Sequence, residues 1–421
     1  MIVLGLGSSI VIARIYGVDV IGEYALTLAP VGLMTYISSA QEQAALVREL
    51  SVLKARAPRI TGLVAAVQSF SSGLTLLVAI PVTAVMWIML EGPIGQPELV
   101  WPMFAQMASY VVIQNTCLNA DMVLTAFRAG RELFWIRLGQ ALSFIVIAVG
   151  LGLYWDNLWP LVIATAASWG VSLVHRIVDV RHYMRFMVPL SEIRDGFRAL
   201  PSMLIFGLKT APGMVSDGVA SESGTFILGI TNSVAGVGAW SRARQLGYRL
   251  QESATRINEV YFPTLCERRA NGDEEGHDRA LMDTLRYSSI AFLLAAAAGG
   301  GAAHGVMNLF GPGFDQASDA FALILLAQAL AIAIGVLALA MWAADRPLQD
   351  SYVAVGRAVL LIGLSIPLAM QMGVTGPALA SVVANAAGIV VLLPLVRSRA
   401  MFGSMRTYWP LRQVVFLAMS Y

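Results

Sequence analysis

The sequence predicts an all-α polytopic membrane protein of about twelve transmembrane helices, arranged as two six-helix lobes around a central cavity. Three observations predict it. Hydrophobic residues make up 57% of the chain against 13% charged, and the mean hydropathy is +0.70, far from the balance of a soluble domain. The 421 residues contain no long polar block, so they divide into apolar stretches of roughly 20 residues, the length needed to cross a hydrocarbon core. Basic residues gather in alternate connecting segments, the signature of a fixed membrane orientation. No room remains for a soluble catalytic domain.

Apolar stretches bounded by charged or turn residues give the elements in order. The first, 1 to 16, runs apolar from Ile2 to Ala13 before Arg14 and lacks the basic start of a signal peptide. Those residues reach only about 20 Å as a helix, so either the helix continues past Tyr16 or the natural start lies upstream. The second is 22 to 40. The third, 62 to 90, carries Pro81 and ends near Trp87. The fourth, 100 to 126, begins at the interfacial anchor Trp101 and holds Asn115 and Asp121, residue types suited to interhelical hydrogen bonds. The fifth and sixth, 133 to 153 and 160 to 178, flank Trp155 and Trp159. The seventh, 203 to 231, contains the helix breakers Pro212, Gly213 and Gly218, which suit a moving or cavity-lining helix. The eighth is 238 to 262. The ninth, 286 to 309, has Gly299, Gly300 and Gly301 for close helix contact. The tenth, eleventh and twelfth are 319 to 343, 353 to 371 with an ordinary kink at Pro367, and 376 to 396 with Asn385.

Ile21-Gly22-Glu23-Tyr24-Ala25, opening the second stretch, resembles Val237-Gly238-Ala239-Trp240-Ser241, opening the eighth. Both follow a short loop on the same side, six spans apart, which suits two halves related by an axis along the membrane normal. The expected division is a first lobe over 1–200, a second over 201–400, and a cytoplasmic tail or amphipathic segment over 401–421. One set of loops holds Arg48, Lys54, Arg56 and Arg59, then Arg128, Arg131 and Arg137, then Arg176, Arg181, Arg185, Arg194 and Arg198. It continues with Arg268, Arg269, Arg279 and Arg286, with Arg346 and Arg357, and with Arg397, Arg399, Arg406 and Arg412. The intervening loops carry no Lys or Arg, so the first set is expected in the cytoplasm together with both termini. Arg14 alone falls on the opposite side.

Several function classes drop out. A net charge of +2 makes nucleic acid a poor partner, and Cys117 and Cys266 suggest no disulfide framework. Lys54 and Lys209 both follow leucine, whereas a Walker A lysine follows glycine, so ATP is not bound that way. There is no nucleophile elbow and no zinc helix, and His175, His182, His277 and His304 are scattered. No enzyme, no metal and no cofactor is expected.

Polar groups within the apolar stretches concentrate in the seventh and eighth. Lys209, Asp217 and Glu222 precede a stripe in which Arg242, Arg249 and Arg256 recur every seven residues, with Gln245, Glu252 and Glu259 three positions later and Arg244 beside it. A seven-residue step drifts only about 20° around a helix, so the stripe shares one face. Charges at membrane depth cost on the order of 2.5 to 3.5 kcal/mol each, so they face water or a partner. Several arginines favour an anion, because the guanidinium fork matches phosphate oxygens. Arg242, Arg249, Lys209, Arg48 and Arg256 are the candidate substrate contacts, and Glu222, Asp217 and Glu252 the candidates for ion coupling. The bland alternatives are that Arg249 and Arg256 pair with Glu252 and Glu259 on their own helix, and that Arg48 is one more positive-inside residue.

The chain resembles the polysaccharide transporter, or Wzx-type, branch of the MOP flippase superfamily. Ala13-Arg14-Ile15-Tyr16-Gly17 followed by Ile21-Gly22-Glu23-Tyr24-Ala25 is similar to the segment joining that family's first two helices, and Ala45-Leu46-Val47-Arg48 to the end of its second. Leu309-Phe310-Gly311-Pro312-Gly313-Phe314 resembles the loop after the ninth helix, and Gly373 to Ser381 the entry to the twelfth. The resemblance implies two lobes around a cationic cavity that open alternately to either side. It implies a polyprenyl-diphosphate oligosaccharide as substrate, carried across a bacterial inner membrane for surface or exported polysaccharide, with membrane lipid, polysaccharide polymerase and glycosyltransferases as neighbours. One departure is Gly224, where the family commonly has an acidic residue. Two other readings stand beside it: a cation-coupled drug antiporter of the MATE type, and a non-transporting membrane subunit of a polysaccharide assembly complex.

Overall fold

The computed structural model describes residues 2–38, 42–343 and 346–397. Every element among the described residues is helical. In chain order they are α1 (Ile2–Ile37), α2 (Glu42–Ser51), α3 (Pro58–Glu91), α4 (Val100–Ser109), α5 (Asn115–Ala126), α6 (Gly130–Gly152), α7 (Trp159–Val180), α8 (Leu190–Thr231), α9 (Val234–Ala270), α10 (Glu274–Gly301), α11 (Ala303–Asn308), α12 (Ser318–Ala343), α13 (Pro347–Met372) and α14 (Thr375–Arg397). Eight of these are long and apolar enough to cross a membrane: α1, α3, α6, α7, α10, α12, α13 and α14. α8 and α9, at 42 and 37 residues, are longer than a span needs but carry the charges singled out above.

Local signals explain the boundaries. Pro58 begins α3, where its missing N–H costs nothing, and Asp273 caps α10 by accepting from the Gly276 N–H at 2.9 Å. The first two expected stretches are two helices that meet at Gly17 and are numbered together as α1; Gly17, at φ 74° and ψ 174°, is outside the helical region in a conformation open to glycine and costly for other residues. The predicted fourth stretch is interrupted by a π-turn at Tyr110–Gln114 between α4 and α5. Glu42 and Arg48 do not extend the second stretch but lie on the separate short helix α2.

Packing divides the molecule by depth. At the end bearing the Arg-free loops, one apolar core joins both halves, from Ile12, Ile21 and Leu161 to Val237, Phe310 and Phe321. Towards the Arg-rich loops the core splits. Leu46, Leu63, Val123 and Met203 form one cluster, and Leu265, Leu285, Leu337 and Leu392 another. Among the described residues the halves therefore share one apolar interior at one end and have separate apolar clusters at the other, while α1 still packs on α8 at Gly218 and Gly32. The first turns of α8 belong to the first cluster, with Gly62 seated on the Glu192 carbonyl, and the rest of α8 runs along α13 in the second lobe.

The seam at the joined end is a symmetric crossing of α1 and α9. A Cβ on Gly22 would strike the Val234 carbonyl, and a Cβ on Gly238 would strike the Val18 carbonyl. Each glycine meets the residue four before the other, as two copies of one motif must around a two-fold axis. Arg14, the lone basic residue at this end, donates from Nε to the Leu309 carbonyl at 2.8 Å, the usual role of a cation at a helix C-terminus.

Candidate functional site

The ionic stripe of α9 faces the first segment of α1. Arg242 donates from Nη1 to Ser9 Oγ at 3.1 Å and to Gln245 Oε1 at 2.8 Å, while its Nε is buried without a hydrogen-bond partner. Ser9 Oγ also donates to Gln245 Oε1 at 3.1 Å, closing a three-residue ring across the lobes. One turn pair further, Arg249 donates to both oxygens of Glu252 at 3.1 and 2.8 Å, and its Nη2 lies 3.4 Å from where a side chain on Gly5 would begin. Glu252 is 58% exposed, so water screens this pair. The side chains of Lys209, Arg256 and Glu259 lie outside the described residues. Arg48 is 62% exposed and pairs with its neighbour Glu49, at 3.4 Å, on α2 and away from the stripe.

Arg244 points the other way, into the second lobe. Its Nη2 donates to Glu222 Oε2 at 3.0 Å, its Nη1 bonds the Ser221 carbonyl, and the Tyr248 ring lies 5.7 Å from its guanidinium carbon. Tyr248 in turn bonds Ser221. Arg244 and Tyr248 line a cavity of ≈ 260 Å³ together with Asp217, Gln328, Arg357 and Asn385. Arg357, on α13, bonds Asp217 of α8. Two glycines shape the wall: Gly224 backs onto the Trp240 indole, where a Cβ would lie 2.6 Å away, and Gly218 backs onto the ring of Tyr36. The Trp240 indole thus fills the space that an acidic side chain at position 224 would need. Glu222 instead reaches Arg244 and touches Gly32 of α1, where a Cβ would lie 2.9 Å from the carboxylate carbon.

The structure thus divides the candidates between two surfaces. Arg242, Arg249 and Glu252 lie on the seam with α1; Asp217 lines the cavity with Arg244 and Arg357, and Glu222 reaches Arg244 from beside Gly32 of α1. Sequence reading put Arg357 in an inside loop, and the structure corrects that, because α13 begins ten residues earlier at Pro347. Its apolar flanks, Tyr352 to Gly356 and Ala358 to Leu361, carried the signal. Arg176 needs the same correction. It lies inside α7, 1% exposed, with its guanidinium on both oxygens of Asp121 at 2.7 and 3.1 Å and over the Trp169 ring. Such a sealed pair holds α5 to α7 and leaves nothing to offer a ligand. No cluster of three or more metal-binding side chains occurs among the described residues.

Arg244 and Arg357 both line this cavity, and each is paired with a carboxylate of α8, Glu222 and Asp217 respectively. Comparison with curated proteins gives no match. Among solved structures, a lipid II flippase, MurJ, in an inward closed conformation aligns over 94% of this chain and 85% of its own, at 15% identity and a TM-score of 0.68. An inward-facing multidrug resistance MATE family transporter of the MOP superfamily aligns over 94% of both chains, at 12% identity and a TM-score of 0.71. The eukaryotic MATE transporter AtDTX14 aligns over 94% of this chain and 88% of its own, at 16% identity and a TM-score of 0.54. At these identities the likeness establishes the fold. The model of a family described as polysaccharide biosynthesis protein matches residues 11–298, more than half of the chain. This multi-pass membrane protein therefore belongs to the polysaccharide biosynthesis protein family and has the fold of the MOP superfamily transporters.

Proposed function

We propose that the protein is a flippase that carries a polyprenyl-diphosphate-linked oligosaccharide across a bacterial inner membrane, with both termini in the cytoplasm, for surface or exported polysaccharide. The observation that carries the reading is the pair Arg244 and Arg357 lining one half-open cavity from α9 and α13. A diphosphate is a strong multi-oxygen acceptor, and guanidinium forks match its geometry. At ≈ 260 Å³ the cavity lies just below the ~300–1,000 Å³ of small-molecule sites, a size for a headgroup. Glu222 and Asp217 balance the two arginines, and an arriving diphosphate would replace them. Arg242 and Arg249 would guide the anion along the seam when α1 and α9 separate. The joined core at one end and split cores at the other fit a state open towards the Arg-rich loops, where such lipids are made.

Reconstitution with a fluorescent polyprenyl-diphosphate oligosaccharide tests this, read by an impermeant quencher added outside the vesicles. The expected result is nearly complete quenching with the protein present, slowed about tenfold by Arg244→Ala or Arg357→Ala. Quenching that stays at the outer-leaflet fraction in the presence of well-folded protein overturns the proposal. A cation antiporter would instead export a cationic dye against a proton or sodium gradient, for which Asp217 and Glu222 would have to leave the arginines they now hold.

A further inference from the structure

We infer that the crevice between α13 and α14 seats the hydrocarbon chain of the substrate, with Arg357 at the join between this seat and the headgroup cavity; the inference rests on the anionic-lipid reading above. A lipid-linked anion has two incompatible parts. Its diphosphate needs a polar, cationic enclosure, while its isoprenoid chain must stay in hydrocarbon. The headgroup cavity therefore needs a side opening through which the chain leaves.

The α13/α14 crevice meets that requirement. It is an open crevice of ≈ 680 Å³ lined mainly by aliphatic groups, among them Val353, Leu360, Ala387, Val391 and Leu395. Arg357 lines both this crevice and the ≈ 260 Å³ cavity. Its stem passes α14 at Gly388, where a Cβ would lie 3.2 Å from Arg357 Cδ and 3.2 Å from Ile334 Cδ1. Beyond that point the guanidinium reaches Asp217 inside the second lobe. The stem is apolar and the head is charged, so one side chain is matched to both compartments. The two helices divide in the same way. Ser381 and Asn385 of α14 face the polar cavity, while Ala384, Ala387 and Val391 face the crevice. Gly356 is exposed, and a Cβ there would meet nothing within 4 Å, so the crevice is open on its lipid side. A separate apolar cleft of ≈ 290 Å³, lined by Leu33, Pro81, Val85, Met89 and Phe226, shares no lining residue with the charged cavity.

The test uses the full chain in phosphatidylglycerol vesicles with radiolabelled undecaprenyl diphosphate as probe and a photoreactive amino acid at Val391, in the crevice, or at Gln328, in the cavity. The expected result is labelling at both positions, with labelling at Val391 falling about tenfold in Arg357→Gln. In Gly356→Phe, whose ring fills the crevice from open space, labelling at Val391 should disappear while that at Gln328 persists. Labelling at Gln328 alone overturns the tail seat and leaves the flippase reading standing. Labelling at neither position overturns both. Labelling at Val391 that ignores Arg357→Gln marks the crevice as a site for any acyl chain and also overturns the inference.

Discussion

Arg176 and Arg357 show how differently two intramembrane arginines are held. Arg176 is sealed against Asp121, and removing one partner of such a pair leaves an uncompensated buried charge, at a cost of about 3–5 kcal/mol. Arg176→Gln should therefore lower the amount of folded protein in membranes, and Asp121→Asn in the same chain should recover most of it, as measured by detergent-extracted yield and melting. Arg357 is matched by an Asp217 that is 50% exposed, so Arg357→Gln should leave yield near that of the parent chain while transport falls. Arg357→Lys should rescue little, because a point charge does not replace the fork. Gly224 gives a steric prediction. Its Cβ would lie 2.6 Å from the Trp240 indole, so Gly224→Ala should destabilise by about 1–3 kcal/mol, and Trp240→Leu should relieve it. A melting temperature unchanged by Gly224→Ala would contradict this packing.

Between elements, the crossing of α1 and α9 decides how the lobes meet. Gly22 and Gly238 bring two backbones together where any side chain would strike a carbonyl. Gly238→Val should force the joined end apart, so a thiol placed near Val18 should react with an aqueous maleimide in the variant and resist it in the parent chain. Further along the same helices, Ser9 and Gln245 are in hydrogen-bond contact at 3.1 Å across the lobes. Ser9→Cys combined with Gln245→Cys should form an oxidant-induced bridge that halts transport until it is reduced. Free transport with the bridge formed would show that α1 and α9 need not separate there.

For the whole molecule, the arrangement is a pair of lobes with one common core at the Arg-free end and two cores at the Arg-rich end. Alternating access in the proposed transport cycle would require the common core to open, a core that includes the buried Phe310 and Phe314 on a loop with Gly311 and Gly313 at positive φ. Much of this was legible in the chain. Apolar length marks a membrane helix because unsatisfied backbone groups in lipid are so costly that the helix is nearly obligatory. The repeated Gly22 and Gly238 motifs hinted at a duplication, and the structure packs the two against each other, a contact the repeat alone did not predict. The sequence also located the charge-rich pair of helices, α8 and α9. It did not tell which charges meet. Helical spacing puts Arg242 and Arg249 on one face, but only the packing of α9 between α1 and α12 decides that this face turns to the seam, while Arg244, two residues from Arg242, turns to the cavity. Arg176 and Arg357 read as loop residues for the same reason: a lone arginine near a span end has the same composition whether it ends in water or on a carboxylate from a distant helix. By itself the sequence determined that the chain is helical and crosses a membrane, and which stretches are apolar enough to do so, since these follow from local hydrogen bonding and the cost of polar groups in lipid. Which arginine finds which carboxylate was decided by tertiary structure, because that depends on how separate helices pack, as with Asp217 on α8 and Arg357 on α13, 140 positions apart.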